Sequence, residues 1–145
     1  MKNISRRAVT AMLFSVIVLA ACARPTEPVF ENAWVRAMPP GSKMTAGFGT
    51  LHNGTGAPIA FETFSSPYFR SVSLHLTEDV NGVSKMREVD RLVVQPDETV
   101  DMAPGGYHLM LMLPLKSIVK GQTVPLEFTT ADGRVFSFEA PVERR

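Results

Sequence analysis

Tyr107-His108-Leu109-Met110-Leu111-Met112-Leu113 is the stretch on which the fold turns. Read as a strand, it sends successive side chains to opposite faces. Leu109, Leu111 and Leu113 then point to one side, and His108, Met110 and Met112 to the other. The leucines make a core face, so the opposite face is expected to be the exposed one. It carries an imidazole and two thioethers where Lys, Thr or Glu would be usual. Ser73-Leu74-His75-Leu76-Thr77 repeats the pattern, with Leu74 and Leu76 inward and His75 outward beside Ser73 and Thr77. Met86 lies in Ser84-Lys85-Met86-Arg87-Glu88, a polar setting for a lone methionine.

The rest of the chain has the same rhythm. From Val29 onward no apolar pattern recurs at helical spacing for two full turns. Short runs rich in β-branched and aromatic residues stand between Gly, Pro, Asn and Asp instead. The expected strands are Glu31–Arg36, Thr45–His52, Ile59–Ser65, Ser71–Thr77, Ser84–Val89, Thr99–Met102, Tyr107–Leu113, Val124–Thr130 and Val135–Pro141. Pro39-Pro40-Gly41, Asn53-Gly54-Thr55-Gly56, Asn81-Gly82, Pro104-Gly105-Gly106 and Asp132-Gly133 supply the fixed or positive φ of chain reversals. Asp132-Gly133 between two alternating runs is a hairpin signal. About nine short strands at this spacing predict an all-β fold. The expected form is an antiparallel Greek-key β-sandwich of the immunoglobulin or cupredoxin kind.

The 145 residues give room for one such domain with a hydrophobic core. Lys2, Arg6 and Arg7 open a segment without acidic residues, and Ala8 to Ala20 follow as a largely apolar stretch of 13 residues. That is shorter than the roughly 20 residues of a membrane-spanning helix, and it reads as a targeting signal. It ends in Leu19-Ala20-Ala21-Cys22, which resembles the lipobox of bacterial lipoproteins. The resemblance implies cleavage before Cys22 and lipidation of its sulfur; an ordinary secretory signal is the alternative. The expected division is a signal over 1–21, a lipid anchor and linker over 22–28, and a folded domain over 29–145. Cys22 is the single cysteine, so no internal disulfide can form. Lipidation would consume a thiol that is otherwise a liability outside the cytoplasm. Without the three leading cations the chain carries 12 Lys and Arg against 14 Asp and Glu, which gives no electrostatic reason to expect nucleic-acid binding. A membrane contact is expected through the lipid anchor only.

Beyond residue 22 there are three histidines, at 52, 75 and 108, and six methionines, at 38, 44, 86, 102, 110 and 112. Two of the histidines and a subset of the methionines fall on outward positions of different strands. Thioether sulfur is uncharged and polarizable, so it suits Cu(I) and discriminates against Mg or Ca, while imidazole accepts Cu and Zn alike. A zinc site would more naturally bring cysteine, carboxylate or a third histidine. A calcium site would need clustered carboxylates. Neutral ligands around Cu(I) leave a charge of +1 and a hold from which the ion can be released. Blue-copper electron transfer needs a Cys thiolate, and Cys22 lies in the signal. No Ser-His-Asp order or paired acid supports hydrolysis, so an enzyme is not expected.

His75, ten residues, Met86, twenty-one residues, His108, one residue, Met110 is similar to the H-x10-M-x21-H-x-M pattern of the periplasmic copper chaperones called the PCu(A)C family. Ala33-Trp34-Val35-Arg36, Ala46-Gly47-Phe48 with Leu51-His52-Asn53, and Pro104-Gly105-Gly106-Tyr107 resemble that family as well, so the likeness covers Val29 to Val142. It implies a cupredoxin-like sandwich holding one Cu(I) at His75, Met86, His108 and Met110. The implied task is delivery to a copper protein such as the CuA centre of cytochrome c oxidase or an assembly factor. The place of Met86 among the four rests mainly on the family spacing. Some members carry a Met- and His-rich C-terminal tail, whereas this chain ends Pro141-Val142-Glu143-Arg144-Arg145, so one principal site is expected. Met112 shares the His108 face and is a candidate accessory ligand, with packing beside the site as the alternative. Met38 and Met44 flank Pro39-Pro40-Gly41 as further candidates, and His52 reads as structural. Trp34 and Arg36 could pack near the site or against the sandwich. Copper sequestration for tolerance and a non-metal binding or adhesion module are the rival functions.

Overall fold

The computed structural model describes residues 26–145. The expected signal over 1–21, Cys22 and the first part of the linker lie outside the described residues. Ten strands follow in order, β1 Val29–Arg36, β2 Met44–His52, β3 Ile59–Ser65, β4 Phe69–Val80 and β5 Val83–Glu88 forming the first half. The second half is β6 Leu92–Val94, β7 Thr99–Met102, β8 Tyr107–Pro114, β9 Thr123–Thr130 and β10 Val135–Glu143. Among the described residues there is no helix. The expected all-β sandwich is the observed class.

Seven strands, β4, β8, β2, β1, β10, β9 and β3, form a continuous sheet, and it closes on itself where Phe64 of β3 pairs with Val72 of β4. Pairs such as β4–β8, β2–β8 and β1–β10 join strands far apart in sequence, the crossovers of a Greek key. Not every pair is antiparallel as expected. β1 runs parallel to β10, with Val35 opposite Val142, and β7 meets β8 in parallel at Met102 and Tyr107. The register of β1 on β2 also shifts between Glu31 and Trp34, where Asn32 takes φ 50°, so Trp34 and Val35 are both buried, on opposite faces.

Closure creates one interior. Leu74, Leu109 and Leu111 are lost to solvent there with Phe61, Phe128, Leu126 and Val142. Phe128 is the hub of the aromatic packing, edge-on to Phe61, Phe64 and Phe138. Leu113 departs from the alternation. Its φ is 55°, its N–H donates to the Lys43 carbonyl, and the side chain is turned out, 46% exposed. Leu76, expected inward, is half-buried.

Two hairpin turns set the registers of the strands they join, the first of them at the site. Asn81 (φ 55°) and Gly82 (φ 79°) form the two-residue link between β4 and β5, with the Asp79 carboxylate accepting from the Gly82 N–H at 2.7 Å. This turn sets Thr77 opposite Met86, and a slip by one residue would send Met86 to the other face. The β9–β10 hairpin forms at Asp132-Gly133 as expected. Its Asp132 carboxyl is held below the usual carboxylate range by the Thr130 hydroxyl first, and by Arg134 as well.

Gly49 on β2 is required by a close approach. A Cβ there would sit 2.6 Å from Phe30 Cζ and 3.1 Å from the Ala33 backbone. Gly49→Ala is therefore expected to lower stability by about 1–3 kcal/mol, the range for overpacking, read as a drop in the urea midpoint with an unchanged slope.

Candidate metal centre

The site is built from the register of four adjacent strands. Directly opposed residues of an antiparallel pair share a face. His75 of β4 stands opposite His108 of β8, and Thr77 of β4 opposite Met86 of β5. Met110 of β8 stands between Ser73 of β4 and Ala46 of β2, and Met112 between Ser71 and Met44. Since 71, 73, 75 and 77 alternate on one face of β4, all these side chains lie on the same outer surface. His75, Met86, His108 and Met110 are thus brought together across β5, β4 and β8. Met112 and Met44 adjoin them.

This outer surface is not simply exposed, as the leucine alternation suggested. His108 is only 7% exposed, and His75 and Met110 are half-buried; Met86, at 53%, is open. The covering comes from an aromatic wall. The Phe48 ring lies 6.4 Å from that of His108, and Trp34 stacks on Phe48 at 4.6 Å. Arg36 caps Phe48 at 5.3 Å and Arg145 caps Trp34 at 4.8 Å. Trp34 and Arg36 therefore belong beside the site rather than in the sandwich interior. A cleft of about 380 Å³ opens over it, lined among others by Arg36, Met44, Phe48, Met86, His108 and Met110.

The two imidazoles are stacked, with centroids 5.9 Å apart and planes at 28°. His108 Nδ1–H donates to the Gly106 carbonyl at 3.1 Å, which leaves Nε2 with the lone pair. Pro104-Gly105-Gly106 is the turn that delivers this carbonyl. His75 Nε2 is 2.9 Å from the Ser73 hydroxyl, and its Nδ1 is buried without a hydrogen-bond partner. A buried nitrogen left unpaired is worth about 1–3 kcal/mol of instability, so something is expected to take it up. Each ring therefore has one nitrogen held by the protein and one to spare. No carboxylate lines the cleft, although Glu88 of β5 stands opposite His75, exposed at the edge of the same face. Among the described residues no group of three or more His, Cys, Asp or Glu is gathered anywhere. The donors on offer are two imidazoles and uncharged sulfur, a set suited to a soft ion.

The other candidates separate cleanly. Met38 packs against the core and lines a different hollow beside Ile118. Met102 is buried in the core at 2% exposure. His52 binds the Thr99 hydroxyl at 2.9 Å on the β2–β7 pair, away from the cleft, in keeping with a structural role. Phe48, Arg145 and Ser73 are the contributors that sequence reasoning left without a role. Alternation along Ala46-Gly47-Phe48 could have flagged Phe48, but only the strand pairing connects it to His108.

The sequence profile of the LpqE-like lipoproteins matches residues 29–142. The chain belongs to the LpqE-like family. Among the relatives of this LpqE-like chain is Lxx21020 of Leifsonia xyli subsp. xyli, a protein named as a lipoprotein. It is 35% identical over 115 residues, 78% of this chain and 68% of its own length. The Cu(I) form of DR1885 from Deinococcus radiodurans superposes with a TM-score of 0.69 at 28% identity, over 87% of this chain and 84% of that one. The copper-bound PCuAC domain of PmoF2 does so with a TM-score of 0.66, over 85% and 97%, and at 23% identity it speaks to the fold alone. The resemblance to the PCu(A)C family read from the H-x10-M-x21-H-x-M spacing is borne out by these matches.

Proposed function

We propose that this LpqE-like domain is an extracytoplasmic Cu(I) metallochaperone that binds one ion through His75, Met86, His108 and Met110. The observation that carries the reading is the sorting of side chains on the sheet. Two of three histidines and four of the six methionines beyond residue 22 share one outer face, while the remaining two methionines are packed in or against the core. The spare nitrogens, Nδ1 of His75 and Nε2 of His108, are the imidazole donors, and the orphaned Nδ1 of His75 is what the ion would relieve. The Cu(I) form of DR1885 supports the same cargo.

Transfer is favoured over storage by the exposure of Met86. A ligand at the rim can be displaced first by an incoming donor, and the remaining ligands then follow by exchange. No substrate is turned over. The recipient is an apo copper protein, with the CuA centre of cytochrome c oxidase or one of its assembly factors as the candidate that the family resemblance suggests. Copper sequestration would use the same face, and it is told apart by whether apo-recipient takes up the ion from the loaded domain. Residues 1–21 act as the signal and Cys22 as the lipid anchor, a reading supported by the lipoprotein name of the Leifsonia relative. The domain would then stand at the cell envelope with residues 22–28 as its tether.

Titration of the mature domain with Cu(I) under reducing conditions tests the function. One tight equivalent is expected, and Met110→Ala should weaken it. A domain with no tight equivalent would instead be a non-metal binding or adhesion module, and one indifferent to Met110→Ala would hold its ion away from these four residues.

A further inference from the structure

Met44 and Met112 remain after the four ligands are assigned, and their setting is unusual for packing residues. They are directly opposed on β2 and β8, which brings their Cβ atoms to about 4.5–5.5 Å. Met44 is 54% exposed and lines the same cleft as Met110 and Met86. Met112 is half-buried, and its partner on β4 is the exposed Ser71. Met110, two residues before Met112, likewise has only Ser73 and Ala46 as cross-strand partners. Small side chains thus flank Met110 on both sides and Met112 on its β4 side, so neither methionine is packed under a large neighbour on β4. A flexible thioether is normally recruited to fill core gaps, and here the gaps are on the outside. Met38, by contrast, lies near in sequence to Met44 but packs against the core.

We infer that Met44 and Met112 form a thioether-only staging site for Cu(I), contiguous with the four-ligand site through Met110. The inference rests on the copper reading above and adds a second station to it. Two neutral sulfurs without imidazole select the same soft ion and hold it more weakly. Met110 borders both stations, being diagonal to Met44 across β2–β8 and next to Met112 on its own face. An ion entering the cleft would meet Met44, pass to Met110 and be drawn onto the histidines, and would leave by the reverse exchange. No bond other than copper–ligand bonds is made or broken, and the ion stays Cu(I).

The test uses the mature domain labelled with 13C at the methionine methyl groups and titrated with Cu(I) anaerobically past one equivalent. Cu(I) is diamagnetic, so each methyl resonance can be followed. The first equivalent is expected to move Met86 and Met110, and the second to move Met44 and Met112. Met44 and Met112 unmoved through two equivalents, with Met86 and Met110 shifted by the first, would overturn the staging site and leave the principal site standing. No movement of any of the four would overturn the copper reading and the staging site with it. In the double variant Met44→Leu/Met112→Leu, which keeps the side-chain volumes nearly constant, the second equivalent should vanish. Its survival there would equally refute the assignment.

Discussion

Replacing His75 and His108 together with alanine is expected to lower Cu(I) affinity by on the order of a thousandfold or more while the domain stays folded. Removing an outer-shell partner of a metal ligand already weakens binding by about 10–100-fold, and here two ligands themselves are lost. The cleft lining then offers only uncharged thioether sulfur, and the one carboxylate opposite position 75, Glu88, is exposed on β5 and a hard donor poorly suited to Cu(I). The fold should tolerate the change because neither ring belongs to the interior cluster of Leu74, Leu109, Leu111 and Phe128. His75→Ala also removes a buried nitrogen that has no partner, which offsets part of the lost packing. Copper-free melting temperature and Cu(I) affinity should therefore move independently. A variant that unfolds would mean that the histidines are structural. A folded variant that still binds tightly would mean that the ion sits elsewhere.

Asn53→Ala is expected to do the opposite, with a loss of about 3 kcal/mol in stability and no direct effect on copper. Asn53 has no exposure to solvent. Its amide nitrogen donates to the Ala57 and Val94 carbonyls, each at 2.9 Å. Its side-chain oxygen accepts from the Thr55 N–H at 3.0 Å and the Thr55 hydroxyl at 2.6 Å. Alanine would strand several of these groups in the interior, and each unsatisfied one is worth about 1–3 kcal/mol. For a domain of this size the loss corresponds to a fall in melting temperature of roughly 10 °C. Asn53 follows the end of β2 remote from Met44, and it does not line the cleft. Thermal unfolding of the copper-free variant beside Cu(I) titration at low temperature checks both halves.

The nine expected strands were legible because each carries its own period-two pattern between turn residues. The tenth, Leu92–Val94, was not legible. Three residues are too few for a pattern, and Pro96 two positions on discourages a strand reading. Leu113 misled for a different reason. Nothing in a leucine announces φ 55°, and its outward turn depends on the Lys43 carbonyl contributed by a distant segment. The burial of His108 was hidden in the same way. Alternation separates core from outer face, but the Phe48 and Trp34 wall that covers the outer face follows from β1–β2–β8 pairing. Spacing flagged His75, Met86, His108 and Met110. That Met44 stands opposite Met112 could be known only from the register of strands more than sixty residues apart.

X-ray absorption at the copper edge of the Cu(I)-loaded domain, at one equivalent, reads the ligand set itself. Two imidazole nitrogens and two thioether sulfurs are expected around the ion, with one sulfur lost in Met110→Leu. A shell of nitrogen and oxygen alone, or one unchanged by Met110→Leu, would contradict that assignment.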